Sequence, residues 1–466
     1  MSIESQMTVN GEHLTAPSSF AVENPATGEY FAEAPACDNE TLNHAVDAAH
    51  ATFPDWAHRN DRAALLLECS KQLRSQTMKL APLLTAEQGK PLRESINELM
   101  GASLTLRHYG EMEALHEPDS THRSKFKLTR HPIGVVAAIT PWNYPVMLAM
   151  SKIAPALFVG NTVVAKPSPY TPLTTLAIGE LFKDILPPGV LNTISGDDEL
   201  GKEMTSHPLV KMITLTGSVE TGKAVARSAA NDLKRIVLEL GGNDAAIVLS
   251  DVDPKQVAND LLWGAFRNCG QTCHAIKRLF IHDSIANELI AELKQLVECL
   301  SVGNGSDRTI ELGPLNNRPQ LERVKSLVDH AKNNGARMVT GGNPISGSGY
   351  FFEPTLVDDI QEGVALVDEE QFGPALPILR FNDLDEAITR TNDSNFGLGA
   401  SIWSKDEQRA TELGKHLECG SFWVNQHGTT HPGAPVGGQK WSGLGYENGQ
   451  IGLNEYSRFQ TVFSQS

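Results

Sequence analysis

From residue 133 onward, short β-branched runs alternate with longer stretches rich in Ala, Leu, Glu or Lys at helical spacing. Such a chain builds parallel strands joined by crossover helices, because parallel neighbours need a long connection and both faces of their sheet must be covered. Strands are expected over Val135–Ile139, Thr162–Ala165, Met212–Thr216, Arg235–Leu240 and Ala245–Leu249, with helices over Val146–Val159, Pro172–Ile185 and Val219–Ala230. The expected fold class is α/β, a doubly wound arrangement. Residues 41–115 read as helical, with Leu65, Leu66, Leu73 and Leu80 toward the core. After Cys273 a second α/β pattern begins with the strand Leu279–His282 and helices near 284–299 and 318–334. At 466 residues the chain fits two or three compact units of roughly 100 to 200 residues each.

Charge and cysteine usage exclude several classes. A formal net charge of −17 repels phosphate backbones and anionic lipid headgroups, and no basic run offsets it, so neither a nucleic-acid nor a membrane partner is expected. The uncharged stretch from Ile133 to Ser151 is long enough to span a bilayer, but Pro141, Asn143 and Pro145 interrupt it, which predicts a buried strand, a loop and a helix start. Six cysteines are too sparse for a disulfide framework, and the N-terminus lacks a basic start followed by an apolar run, so a reducing, cytoplasmic location is expected.

Three local patterns could carry chemistry. In Phe266 to His274, glycine and small polar residues surround Cys269 and Cys273, an arrangement that lets a sulfur and its own backbone N–H face a ligand. Burial as small hydrophobes and a metal pair with His274 are the alternatives; the ligand count is too low for zinc, and no metal is expected. In Leu238 to Asn243, Glu239 ends a predicted central strand before two glycines, where a carboxylate facing a crevice is functional unless an ion pair satisfies it. Thr216 to Gly222 reads as a strand, a tight turn and a helix start that would attract a pyrophosphate, although the full glycine fingerprint is absent.

Taken together with Pro141-Trp142-Asn143, Lys166-Pro167-Ser168, Glu370 to Pro374 and Pro435 to Gly445, these motifs resemble the NAD(P)-dependent aldehyde dehydrogenase superfamily. The resemblance runs from Asn24 to the tail, with Cys273 34 positions after Glu239 and Glu370 97 positions after Cys273. It implies that Cys273 attacks an aldehyde, that Asn143 and the Cys273 backbone N–H hold the oxyanion, and that Glu239 is the general base. It also implies an NAD site, with NADP admitted, formed by Trp142, Lys166, Ser168, Gly217, Ser218, Gly222, Glu370 and Phe372. The other five cysteines are then packing residues.

The same resemblance implies a dinucleotide-binding domain over 1–114 and 133–241, a catalytic domain over 242–450, and an oligomerisation ribbon from 115–132 plus the tail 451–466. The ribbon would make a homodimer or homotetramer. Tyr144, Met147, Ser151, Arg267, Thr272 and His427 map to the substrate tunnel, and their polarity points to a short or polar aldehyde, semialdehydes included. Glu239 favours hydrolysis to the free acid over a coenzyme A-acylating reaction, and the intact set of Cys273, Glu239, Asn143 and Lys166 argues against a silent binding protein. Two positions depart from the family pattern: Pro169 replaces a glutamate common in NAD-preferring members, and Asn243-Asp244 follows the glycine pair.

Overall fold

The computed structural model describes residues 3–112 and 126–463, so the expected ribbon segment 115–125 lies outside the described residues. An eight-stranded sheet runs in the order Gly443–Leu444, Arg235–Glu239, Val210–Thr216, Val135–Ile139, Thr162–Lys166, Leu191–Thr193, Met7–Val9, Glu12–Leu14. Its five central strands are parallel. The chain places Val135–Ile139 first, adds two strands to one side and then two to the other, so the topology switches direction beside that strand. Ala, Val and Ile runs are buried on both faces, as covering helices require.

Every expected strand of this unit forms, with ends moved by one or two residues. The N-terminal strands were not expected. Met7–Val9, Glu12–Leu14, Ser18–Asn24 and Glu29–Ala36 are short or mixed in character; they pair with their chain neighbours, and Met7–Val9 also pairs with the distant strand Leu191–Thr193. Residues 41–111 form three helices, Asn39–His58, Arg62–Gln88 and Leu92–Glu111. Leu66, Leu73 and Leu80 are in the core and Leu65 is half-buried against it.

A seven-stranded sheet follows in the order Arg337–Thr340, Thr355–Asp358, Ala375–Phe381, Arg278–His282, Ala245–Val248, Gly399–Trp403, Ser421–Val424, parallel except for its first strand. Residues 240–244 carry the chain from one sheet to the other. Gly443–Leu444 returns to pair antiparallel with Arg235–Glu239, so the segment 242–450 is not confined to the second sheet. Phe126–Pro132 pairs antiparallel with Ser457–Phe463, joining two segments that could not be stable ribbons alone.

Buried carboxylates from the N-terminal helices fix where the next helices begin. The helix Pro145–Val159 has no side-chain cap of its own. Glu98 supplies one: its Oε1 accepts from the amides of Val146 and Met147 at 2.8 and 3.2 Å, and its Oε2 takes the Lys90 ammonium at 2.5 Å. Glu87 does the same for the uncapped helix Leu173–Phe182, accepting from Leu173 and Thr174 at 2.7 and 2.9 Å. Orphan amides and the helix dipole both favour an anion there. Glu98→Ala would strand the buried Lys90 ammonium and two amides, and is expected to cost about 3–5 kcal/mol, read as a lowered denaturation midpoint.

Candidate active site

The turn that leads into Cys273 is strained and clamped. The helix Pro254–Phe266 ends in a 3-10 turn, Arg267–Gly270, in which Asn268, Cys269 and Gly270 all take left-handed backbone with φ of 51°, 57° and 71°. Non-glycine residues resist that region, so neighbouring contacts must hold it. The Asn268 amide group donates to Asn143 O at 3.0 Å, the Gln271 amide group donates to Asn268 O at 3.0 Å, and Gln271 Oε1 accepts from Asn316 N at 2.8 Å. The turn drives Cys269 into the core with Leu315 and Phe352 and leaves Cys273 half-buried at a cleft. The two thiols part company, and among the described residues no group of three or more His, Cys, Asp or Glu is placed to hold a metal ion. Cys299, expected as a packing residue, is exposed.

The cleft has a volume of about 1100 Å³, and Cys273, Glu239, Asn143, Tyr144, Met147, Ser151, Arg267 and Thr272 all line it. Glu239 stands at the carboxyl end of its strand with Oε1 buried and without a hydrogen bond. Burial raises its pKa well above the usual carboxylate range, the nearby Glu447 adds to this, and Lys152 opposes it. Burial likewise pushes the Cys273 thiol up to about 12 against the pull of Lys277. The Asn143 carbonyl accepts from Lys90 Nζ at 2.7 Å, and its side-chain Nδ2 donates to Gln271 O at 3.0 Å. Thr272 Oγ1 donates to the Tyr144 hydroxyl at 3.4 Å, and Ser151 Oγ lies 3.1 Å from Glu447 Oε2.

His427 is a correction. Its side chain is fully buried, with Nδ1 2.9 Å from Ser401 Oγ and Nε2 3.6 Å from Asp244 Oδ2, so the loop wall facing the cleft is Gly428 to Pro432 instead. His274 is turned from Cys273 onto the same Asp244, at 3.2 Å. Burial would raise the Asp244 carboxyl, but the hydrogen bond to His274 and the close approach of His427 outweigh it and hold the group well below its usual range. This explains the departure at residue 244. Asn243 Nδ2 donates to Val367 O at 2.8 Å, a packing bond.

Sequence reasoning also missed the Lys152–Glu447 ion pair, which lies beside Glu239, with Lys152 Nζ donating to Thr216 Oγ1 at 2.6 Å. Lys152 is the only charge in the helix Pro145–Val159, and that lone cation was the available signal.

The carboxyl ends of the first sheet's strands, beside its topological switch, are the usual ligand position in such folds. Lys166 ends its strand there, is 3% exposed, and makes no hydrogen bond or ion pair among the described residues. Burial lowers its pKa to about 8, with Asp198 and Asp197 opposing. An unpaired buried ammonium fits a polyhydroxylated ligand such as a coenzyme ribose. Ser168 is buried nearby in sequence, and Trp142 meets Phe372 edge to face at 5.4 Å.

The glycines of the expected pyrophosphate turn behave differently. Gly217 N–H donates to Glu239 O at 3.0 Å and Gly222 N–H to Ser218 O at 2.9 Å, so neither amide is free. Gly222 instead serves packing, since a Cβ there would come within 2.6 Å of a Leu240 methyl. Ser218 caps the helix Val219–Ala230, accepting from Thr221 N at 3.1 Å. The amides able to meet an anion are therefore those of the first turn, which lack intrahelical partners. Glu370 Oε1 accepts from Gly242 N at 3.0 Å.

A cleft that brings a cysteine, a buried carboxylate and a carboxamide together at the strand ends of an α/β sheet suits an enzyme that works through a covalent cysteine adduct. The chain belongs to the aldehyde dehydrogenase family, which it matches over residues 13–462. It is 36% identical to the NADP-dependent succinate-semialdehyde dehydrogenase of Escherichia coli (strain K12), covering 97% of this chain and 96% of that protein. It is 35% identical to the 3,6-anhydro-alpha-L-galactose dehydrogenase of Vibrio sp. (strain EJY3), covering 98% of each. A solved lactaldehyde dehydrogenase superposes with a TM-score of 0.97 at 31% identity over all of both chains. The protein oxidises an aldehyde to a carboxylic acid with NAD(P)+. Among the described residues no helix is long and apolar enough to cross a membrane.

Because burial raises both Cys273 and Glu239, each reaches its reactive, charged form only as pH rises. Turnover is expected to climb from pH 7 to 9, and iodoacetamide labelling of Cys273 without coenzyme is expected to rise about tenfold per pH unit. A profile flat across that range would contradict the assignment.

Proposed function

We propose that Cys273 is the nucleophile and Glu239 the base of this oxidation. The observation that carries the reading is the convergence of both on one cleft, with a Glu239 oxygen buried and unpaired while the neighbouring Glu447 carboxylate has a cation. Cys273 as thiolate bonds to the aldehyde carbon, and the oxyanion is held by Asn143 Nδ2 and the Cys273 N–H. NAD(P)+, when bound, accepts the hydride that leaves as the thiohemiacetal becomes a thioester. Glu239 takes a proton from the water that cleaves the thioester, releasing the acid and restoring the thiol. Lys166, Ser168, Ser218, Trp142, Phe372 and Glu370 form the coenzyme site. Release of free acid is favoured over acyl transfer to coenzyme A, because a buried base is in place. Cys273→Ala is expected to abolish NADH formation while leaving the fold intact by circular dichroism.

The substrate is a short or polar aldehyde, with semialdehydes included. Arg267 and Arg93 are exposed residues lining the cleft, and their guanidinium groups have no hydrogen bond or ion pair among the described residues, so they can meet an anionic end. The curated Escherichia coli relative is named for such a semialdehyde. In a kcat/KM panel of succinate semialdehyde, glycolaldehyde, benzaldehyde and decanal, the polar aldehydes are expected to lead; a clear win for decanal would reject this.

Both coenzymes work and NAD is preferred. Residue 169 is proline, so no carboxylate there rejects a 2′-phosphate, while Asp197 and Asp198 still act on Lys166. A preference for NAD above about a thousandfold, about 4 kcal/mol, would be too large for this arrangement. The 126–132 and 457–463 ribbon, with Phe459 and Phe463 exposed, is the element through which the chain forms a homodimer or homotetramer.

A further inference from the structure

Lys277 has no part in the roles assigned so far, yet it lies at their junction. It stands four residues after Cys273, just before the strand Arg278–His282, and is 1% exposed. Its ammonium donates to Thr272 O at 2.9 Å and Cys273 O at 2.5 Å and forms an ion pair with Glu370 Oε1 at 3.4 Å. The ammonium is also 5.9 Å from the centre of the Phe372 ring. One buried cation therefore touches the nucleophile's own peptide, the carboxylate assigned to the nicotinamide ribose, and the ring beside it.

We propose that Lys277 is a positioning residue that ties the nucleophile turn to Glu370, holding the Cys273 peptide in place and supplying the positive charge that favours the Cys273 thiolate. The inference rests on the reading of Cys273 as nucleophile and Glu370 as a coenzyme ligand. An ammonium this desolvated cannot be screened by water, so its charge acts on whatever faces it. The groups acting on the thiol are Lys277, which favours its ionisation, and Asp244, Glu239 and Glu370, which oppose it. His427 and Arg278 also lie close, His427 on Asp244 and Arg278 with its Nε donating to Asn243 O at 3.0 Å. Glu370 both shares the ammonium and repels the thiolate. Drawing the Glu370 charge toward ribose hydroxyls would leave more of the Lys277 field to the sulfur, so coenzyme binding and thiol activation are linked through one side chain.

The test uses full-length protein without coenzyme and measures iodoacetamide labelling of Cys273 by peptide mass spectrometry at pH 8.5, normalised to the exposed Cys299 in the same molecule. Lys277→Met is expected to slow relative labelling about tenfold, equivalent to a thiol pKa one unit higher, and Lys277→Arg is expected to stay within about threefold of the natural protein. Glu370→Gln, which keeps the lysine, is expected to quicken labelling several-fold. A lysine that merely packed the turn would, once removed, loosen it and speed labelling, so unchanged or faster labelling in Lys277→Met overturns the proposal. If Lys277→Met does not fold, Glu370→Gln decides alone, and unchanged or slower labelling there overturns it. Aldehyde oxidation surviving in Cys273→Ala would instead remove the underlying reading of the nucleophile.

Discussion

Between the strand ending at Glu239 and the strand beginning at Ala245, the backbone passes from one sheet to the other through a gap with no room for a side chain. A Cβ on Gly241 would collide with the Glu370 carboxylate, and one on Gly242 would come 2.8 Å from Asp244 Oδ1 and 2.9 Å from Cys273 O. Neither glycine sits in the left-handed region; what each lacks is space, not conformational freedom. The constraint brings Glu239, the Cys273 peptide and Glu370 close together although they come from three separate stretches of chain. A bulkier residue would push the sheets apart and open all three distances together.

Charge is buried around this crossing at a cost that pairing offsets. Lys90 with Glu98, Lys152 with Glu447 and Asp244 with His274 are each inside the protein and each bonded. Taking such ions out of water costs several kcal/mol apiece, and their mutual attraction returns it only in good geometry. What these pairs accomplish is placement: Glu98 starts a helix, Lys90 holds the Asn143 carbonyl, and Asp244 draws His274 off Cys273. Glu239 Oε1 and the Lys166 ammonium are the contrast, buried and left without a bond in the protein. Partnered charges set the frame, and the two unpartnered ones stand at the carboxyl ends of their strands, Glu239 on the cleft.

Much of the fold was legible because its signal is local. Two-sided burial turns the runs at 135, 162, 212, 235 and 245 into continuous apolar stretches, and the periodic helices between them follow from composition. The N-terminal strands were not legible, since a three-residue strand such as Met7–Val9 depends on a partner nearly 190 residues away. At the site, Cys273, Glu239 and Asn143 carried motif signals, whereas Glu447 and Lys277 acquire meaning only from what packs against them. His427 misled for the same reason, because polarity in a loop does not say which way a ring points.

Residue type and short-range spacing were enough to establish the α/β class and the family and to single out Cys273, Glu239 and Asn143. Tertiary structure alone decided which glycine amides were already spent, which histidines were turned inward onto Asp244, and which lysine stood between Cys273 and Glu370. Those outcomes depend on hydrogen-bond partners tens to hundreds of residues apart, and a donor's availability is settled only when its competitors for the same acceptor are in place.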